Sequence, residues 1–137
     1  MKTIISILIS ALMLISCGTP SSPTAPSGDK AETVNTYRQV TSERAMEMMQ
    51  TEKDYIILDV RTAEEYSEGH IPNAINVPNE SIGTEEIPSL PDKNQLIMVY
   101  CRSGRRSKEA SQKLVGLGYT NIVEFGGIID WNGETVK

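Results

Sequence analysis

Leu96-Ile97-Met98-Val99-Tyr100-Cys101-Arg102-Ser103-Gly104-Arg105-Arg106-Ser107 is the stretch whose reading decides the fold. Its first five residues are an unbroken apolar run and predict a fully buried strand. Beyond Ser107, the residues Ala110, Leu114, Val115 and Leu117 fall near i, i+4 and i+7 and predict a helix. Cys101 therefore stands where a strand ends and a helix begins, and in open parallel sheets ligands collect at the carboxyl ends of strands. Loop N–H groups, the positive end of the helix dipole and three nearby arginines all favour thiolate over thiol. The same donors suit an anionic substrate, and Gly104 lets the backbone pass close to one. A buried structural cysteine amid surface charge is the alternative. It leaves Gly104 and the density of arginine unexplained.

The chain has 137 residues, enough for one domain and too few for two. A net charge of −5 argues against nucleic acid as a partner and sets the Arg102–Arg106 cluster apart as a local positive patch. The two cysteines, Cys17 and Cys101, lie far apart, and His70 is the only histidine. No CxxC or Cys/His spacing suggests a metal site, and no cofactor is expected.

Residues 1–16 predict a targeting segment. Lys2 supplies a positive start, and Ile4 to Ile15 is apolar apart from Ser6 and Ser10. That run is shorter than the roughly 20 residues a membrane span needs. It ends in Leu14-Ile15-Ser16-Cys17, which resembles the lipobox of bacterial lipoproteins. The resemblance implies cleavage before Cys17, a lipidated Cys17 and an extracytoplasmic protein anchored on the periplasmic side or cell surface. An ordinary signal peptide or an uncleaved anchor is the alternative. Residues 17–36 then carry Pro20, Pro23, Pro26 and several Ser and Thr, and read as a flexible tether.

The folded domain is expected over residues 37–137. Tyr37 to Val40 is a short strand candidate. Thr41 or Ser42 caps a helix to about Gln50, with Met48 and Met49 as core filler. Tyr55 to Val60 reads as a second buried strand, with Asp59 and Arg61 marking its carboxyl end. Thr62-Ala63-Glu64-Glu65 is a capping box, and the helix it opens is terminated by Gly69. A third strand lies between His70 and Pro78, and Asn79 to Asn94 is mainly loop. After the Cys101 helix stops at Gly118, Asn121 to Phe125 is a further strand, and Gly126-Gly127 opens a last helix containing Trp131. Alternation of strands and helices gives a parallel α/β sheet.

Taken together, several separated motifs resemble the rhodanese-like sulfurtransferase family. They are Asp59-Val60-Arg61, Glu65-Tyr66 with Gly69-His70-Ile71-Pro72-Asn73-Ala74, the Cys101–Ser107 loop, and Gly126-Gly127 before Trp131. The family usually has glycine where Asn73 stands. The resemblance implies a three-layer α/β/α fold around a five-stranded parallel sheet, with Cys101 as the persulfide-forming nucleophile. It places Arg102, Ser103, Gly104, Arg105, Arg106 and Ser107 on the anion-binding loop; of the arginines, Arg106 is the one expected to point at the anion. The implied reaction takes sulfane sulfur from thiosulfate or a persulfide to a thiophilic acceptor, cyanide or a thiol.

Phosphatases of the same fold carry Cys-x5-Arg; here the sixth residue after Cys101 is Ser107, so a phosphatase or arsenate reductase is disfavoured. A catalytically quiet binding module is opposed by the intact Cys101 loop. A thiol–disulfide oxidoreductase is opposed by the lack of a resolving cysteine once Cys17 is lipidated. Asp59 is expected either to pair with a loop arginine or to be satisfied by backbone N–H groups, with Arg61 beside it in a supporting role. His70 is expected to be structural, Trp131 a core lid, and the domain a monomer.

Overall fold

The computed structural model describes residues 36–137. The expected signal segment, Cys17 and the tether up to residue 35 lie outside the described residues. The elements in chain order are β1 (Arg38–Gln39), α1 (Ser42–Thr51), β2 (Tyr55–Asp59), α2 (Ala63–Glu68), β3 (Ile75–Asn76), β4 (Leu96–Cys101), α3 (Arg105–Gly116) and β5 (Ile122–Gly127). Two 3-10 turns, Asn79–Ser81 and Ile128–Asp130, complete them. The strands form one sheet in the order β1-β5-β4-β2-β3, with every pairing parallel. This is the expected five-stranded α/β fold, and the fully buried run from Leu96 to Cys101 lies at its centre.

The pleat sends alternate residues of each strand to opposite faces, and a separate core builds on each. Leu58, Val60, Ile97, Val99, Cys101 and Ile122 pack with Ala110 and Leu114 of α3. Ile57, Met98, Tyr100, Val123 and Phe125 pack with Ala45 and Met48 of α1. Cys101 and Tyr100 therefore belong to different sides of the sheet.

The register between β4 and β5 slips at the end that matters for chemistry. Val99 pairs with Glu124 but Cys101 pairs with Gly127, so β5 takes three steps where β4 takes two. Gly126 lies within that extra step at φ 90°, a conformation natural for glycine.

Local signals act largely as the sequence predicts. Thr41 caps α1 by accepting from the Arg44 N–H. Thr62 and Glu65 form both halves of the capping box on α2. Asn73 adopts φ 66°, a left-handed conformation that asparagine tolerates. The last helix is corrected. Gly126 and Gly127 finish β5, the following 3-10 turn spans only Ile128–Asp130, and Trp131 lies just beyond it.

Candidate active site

Cys101 is the last residue of the central strand and is only 1% exposed. Gly104, three residues on, adopts φ 103° and ends the loop as the N-cap of α3. That turn brings the Gly104 N–H back onto the sulfur, donating to Cys101 Sγ at 3.0 Å. A second glycine holds the loop from below. A Cβ on Gly127 would lie 2.0 Å from Arg102 O and 2.6 Å from Ser103 Cα, so the loop backbone rests directly on β5. The Ile129 N–H donates to Arg102 O at 3.3 Å and closes the same contact.

Beneath the sulfur a polar chain runs through Ser107 to Glu124, a residue that the sequence reading did not single out. The Cys101 thiol donates to Ser107 Oγ at 3.5 Å, and Ser107 Oγ donates to Glu124 Oε1 at 2.6 Å. The Gly126 N–H donates to the same carboxylate oxygen at 2.9 Å. Glu124 is 2% exposed and sits on the α3 face of β5, between positions where the pleat demands apolar side chains. Its signal in the sequence is a charge inside Ile122-Val123-Glu124-Phe125, on the same alternation as buried Ile122.

The arginines separate into different roles. Arg106 donates from both Nη atoms to Glu65, at 2.7 and 2.9 Å, with the two side chains 17% and 27% exposed. The arginine expected to point at the anion is thus anchored to α2. The Glu65 carboxyl is lowered to about 2 by the Arg106 hydrogen bonds acting against burial, with the Thr62 N–H assisting. The Arg106 guanidinium is raised above its ordinary range, chiefly by its hydrogen bond to Glu65. Cys101 and Glu80 also lie close enough to favour its charge. Arg105 is exposed and pairs with Glu109 at 2.7 Å. Arg102 and Ser103 are exposed at the mouth of the loop, and Gly104 and Ser107 are buried.

Asp59 and Arg61 do not support this loop. Asp59 accepts from the Arg61 N–H at 2.9 Å, from the Arg61 guanidinium at 2.7–3.1 Å and from Tyr100 Oη at 2.6 Å. Arg61 Nη2 also donates to Gly69 O at 2.7 Å. The pair belongs with Tyr100, on the opposite side of the sheet from Cys101, and ties the end of β2 to the chain after α2. The pleat supplies the physical reason: Asp59 is in register with Tyr100 and shares its face. Burial works against the Arg61 charge, but the hydrogen bond and charge of Asp59 outweigh it and raise the guanidinium. Burial, then the Asp59 hydrogen bond, pushes the Tyr100 phenol above its ordinary range.

His70 makes a structural contact, its Nδ1 lying 2.9 Å from Tyr66 O and its ring stacked on Tyr66 at 3.8 Å. Trp131 is half-buried against Phe125 at 5.8 Å, with Nε1 donating to Glu134 O.

Several known proteins are similar to this chain. The Escherichia coli K12 protein named thiosulfate sulfurtransferase PspE is 38% identical over 80 residues, 58% of this chain and 77% of its own. A protein named sulfurtransferase from Allochromatium vinosum is 34% identical over 96 residues, 68% of this chain and 86% of its own. A solved structure described as a rhodanese with anions from E. coli shares 38% identity at a TM-score of 0.56, covering 61% of this chain and 98% of that one. The model of the rhodanese-like domain matches residues 41–134, and the chain belongs to the rhodanese-like family of sulfurtransferases.

Proposed function

We propose that this protein is a lipid-anchored, extracytoplasmic sulfurtransferase that carries sulfane sulfur on Cys101. The observation behind the reading is the position of Cys101 Sγ: buried, at the end of the central strand, and accepting from the Gly104 N–H at 3.0 Å. A thiolate held there attacks the outer sulfur of thiosulfate. The new S–S bond forms as the old one breaks, and sulfite leaves with the bonding electron pair. The acceptor, cyanide or a thiolate, then attacks the outer sulfur of the Cys101 persulfide and returns the electron pair to Cys101 Sγ. Loop N–H groups and the exposed Arg102 supply positive charge where both anions arrive. Arg106, held by Glu65, contributes to that field from a fixed position.

A phosphatase needs an arginine six residues after its cysteine. Ser107 occupies that position, buried and hydrogen-bonded to Glu124. Lipidation of Cys17 would hold the domain at the membrane through the tether, on the periplasmic side or cell surface, as a monomer without nucleic-acid partners.

One experiment tests activity and location together. Cells producing the full chain are fractionated, and thiocyanate formation from thiosulfate and cyanide is assayed in each fraction. Activity is expected in the membrane fraction and to be absent with Cys101→Ser, and the N-terminal peptide of the mature protein is expected to begin at Cys17 and to carry the mass of a diacylglycerol group. A folded Cys101→Ser protein with undiminished turnover would overturn the assignment of the nucleophile. A Cys17 that carries no lipid mass would overturn the anchor.

A further inference from the structure

Glu124 is a buried carboxylate that sulfur transfer as written above does not use, and it lies one hydroxyl away from the nucleophile. Ser107 has a single hydroxyl proton and three acceptors within reach: Glu124 Oε1 at 2.6 Å, Gly104 O at 3.0 Å and Gly126 O at 3.3 Å. The shortest contact assigns the proton to Glu124. The serine lone pair is then free to accept from the Cys101 thiol at 3.5 Å. Donors flank both ends of the chain, the Gly104 N–H on the sulfur and the Gly126 N–H on the carboxylate.

Cys101 and Glu124 are 1% and 2% exposed. Two anions sharing so dry a site disfavour one another strongly, whereas a single negative charge has a backbone donor waiting at either end. We propose that Glu124 receives the Cys101 proton through Ser107. The inference rests on Cys101 being the nucleophile and adds the route by which its thiolate forms.

In this step the thiol proton passes from Sγ to Ser107 Oγ as the serine proton passes from Oγ to Glu124 Oε1. The S–H electron pair stays on sulfur. The products are a thiolate, an intact serine hydroxyl and a neutral buried carboxylic acid, and the net charge of the site is unchanged. When the acceptor removes the sulfane sulfur, Cys101 is left as a thiolate, and the proton returns by the same path. Glu124 acts on the sulfur only through Ser107.

The other charged groups around the site are Arg102 in the loop, Arg105 and Arg106 on α3, Glu109 paired with Arg105, Glu65 on α2 and Glu80 near Arg106. The Arg106 guanidinium is raised above its ordinary range by Glu65, and the Glu65 carboxyl is lowered to about 2, below the pH range of the test.

A pair that shares one proton has a fixed thiolate fraction between its two ionisations. The test is the rate at which neutral iodoacetamide alkylates Cys101 in the full-length protein, read by mass on the peptide carrying Cys101, from about pH 5.5 to 8. It needs no sulfur donor, so it stands apart from any failure of thiosulfate turnover. The wild-type rate is expected to change less than about twofold across a unit near neutrality, because the proton moves inside the pair. Glu124→Gln keeps the shape and an acceptor for Ser107 and Gly126 but cannot take a proton. Its rate is expected to fall about tenfold for each unit below the thiol ionisation. Glu124→Ala, which also removes the proton acceptor, is expected to lose the flat region too and serves if the glutamine variant does not fold.

Identical profile shapes in wild type and Glu124→Gln would overturn the proposal and leave Glu124 a structural residue. A single ionisation in the wild type, displaced to lower pH in the variant, would also overturn it, as the mark of a fixed anion that merely repels the thiolate. A flat region surviving in Glu124→Ala would overturn it as well.

Discussion

Gly127 shows how much of the site depends on one missing methyl group. A Cβ there would meet Arg102 O at 2.0 Å, Arg102 C at 2.4 Å and Ser103 Cα at 2.6 Å, all backbone atoms of the loop that holds Cys101. The loop would have to move by about an ångström, and a misplacement of that size costs on the order of 100-fold in rate. Gly127→Ala is therefore expected to remove most sulfur transfer and to destabilise the fold by roughly 1–3 kcal/mol through overpacking. Gly116→Ala is the control, since nothing lies within 4 Å of its Cβ position; turnover and denaturation midpoints of the two variants check both. The placement of Cys101 between the end of β4 and the start of α3 was legible in the sequence because strand, loop glycine and arginines are contiguous. Glu124 was not, because its meaning depends on a register slip between β4 and β5 that no local pattern announces.

Among elements, the tie between α2 and the start of α3 decides how the loop is held. Glu65 serves two elements at once, capping α2 through the Thr62 N–H and receiving both Nη donors of Arg106. Its carboxyl is lowered from an ordinary 4.5 to about 2 in the folded protein. The unfolded chain therefore binds more protons in that window and gains population as pH falls. The stability supplied by this pair is complete above about pH 4.5 and is lost toward pH 2. Denaturant unfolding at pH 5 and pH 3 is expected to show a smaller loss for Glu65→Gln than for wild type, with the variant about 1–2 kcal/mol less stable at pH 5. Equal losses in the two proteins would refute the tie. The capping box was readable because its residues sit three apart in sequence. The partner of Arg106 was not, because 41 residues separate it from Glu65. The partner of Asp59 stayed open in the sequence between a loop arginine and backbone N–H groups; the pleat turns it toward Tyr100 and Arg61, whose N–H and guanidinium it accepts from.

Across the whole molecule, two cores divided by one parallel sheet leave Cys101 on the α3 side at the carboxyl edge, where loop and helix N-terminus converge. That architecture was recoverable from the alternation of apolar runs with helical periodicity, because each strand of the centre reads as a continuous hydrophobic stretch. The edge strands β1 and β3 are two residues each and were placed less closely, since such short elements carry little pattern of their own. The claim on which the functional account turns is that Cys101 carries sulfur as a covalent persulfide. Intact-protein mass of the full chain in detergent after thiosulfate, with Cys101→Ser alongside, measures it most directly. The account predicts a gain of about 32 Da that cyanide removes and that the serine variant lacks. A folded wild-type protein that gains no mass would contradict it.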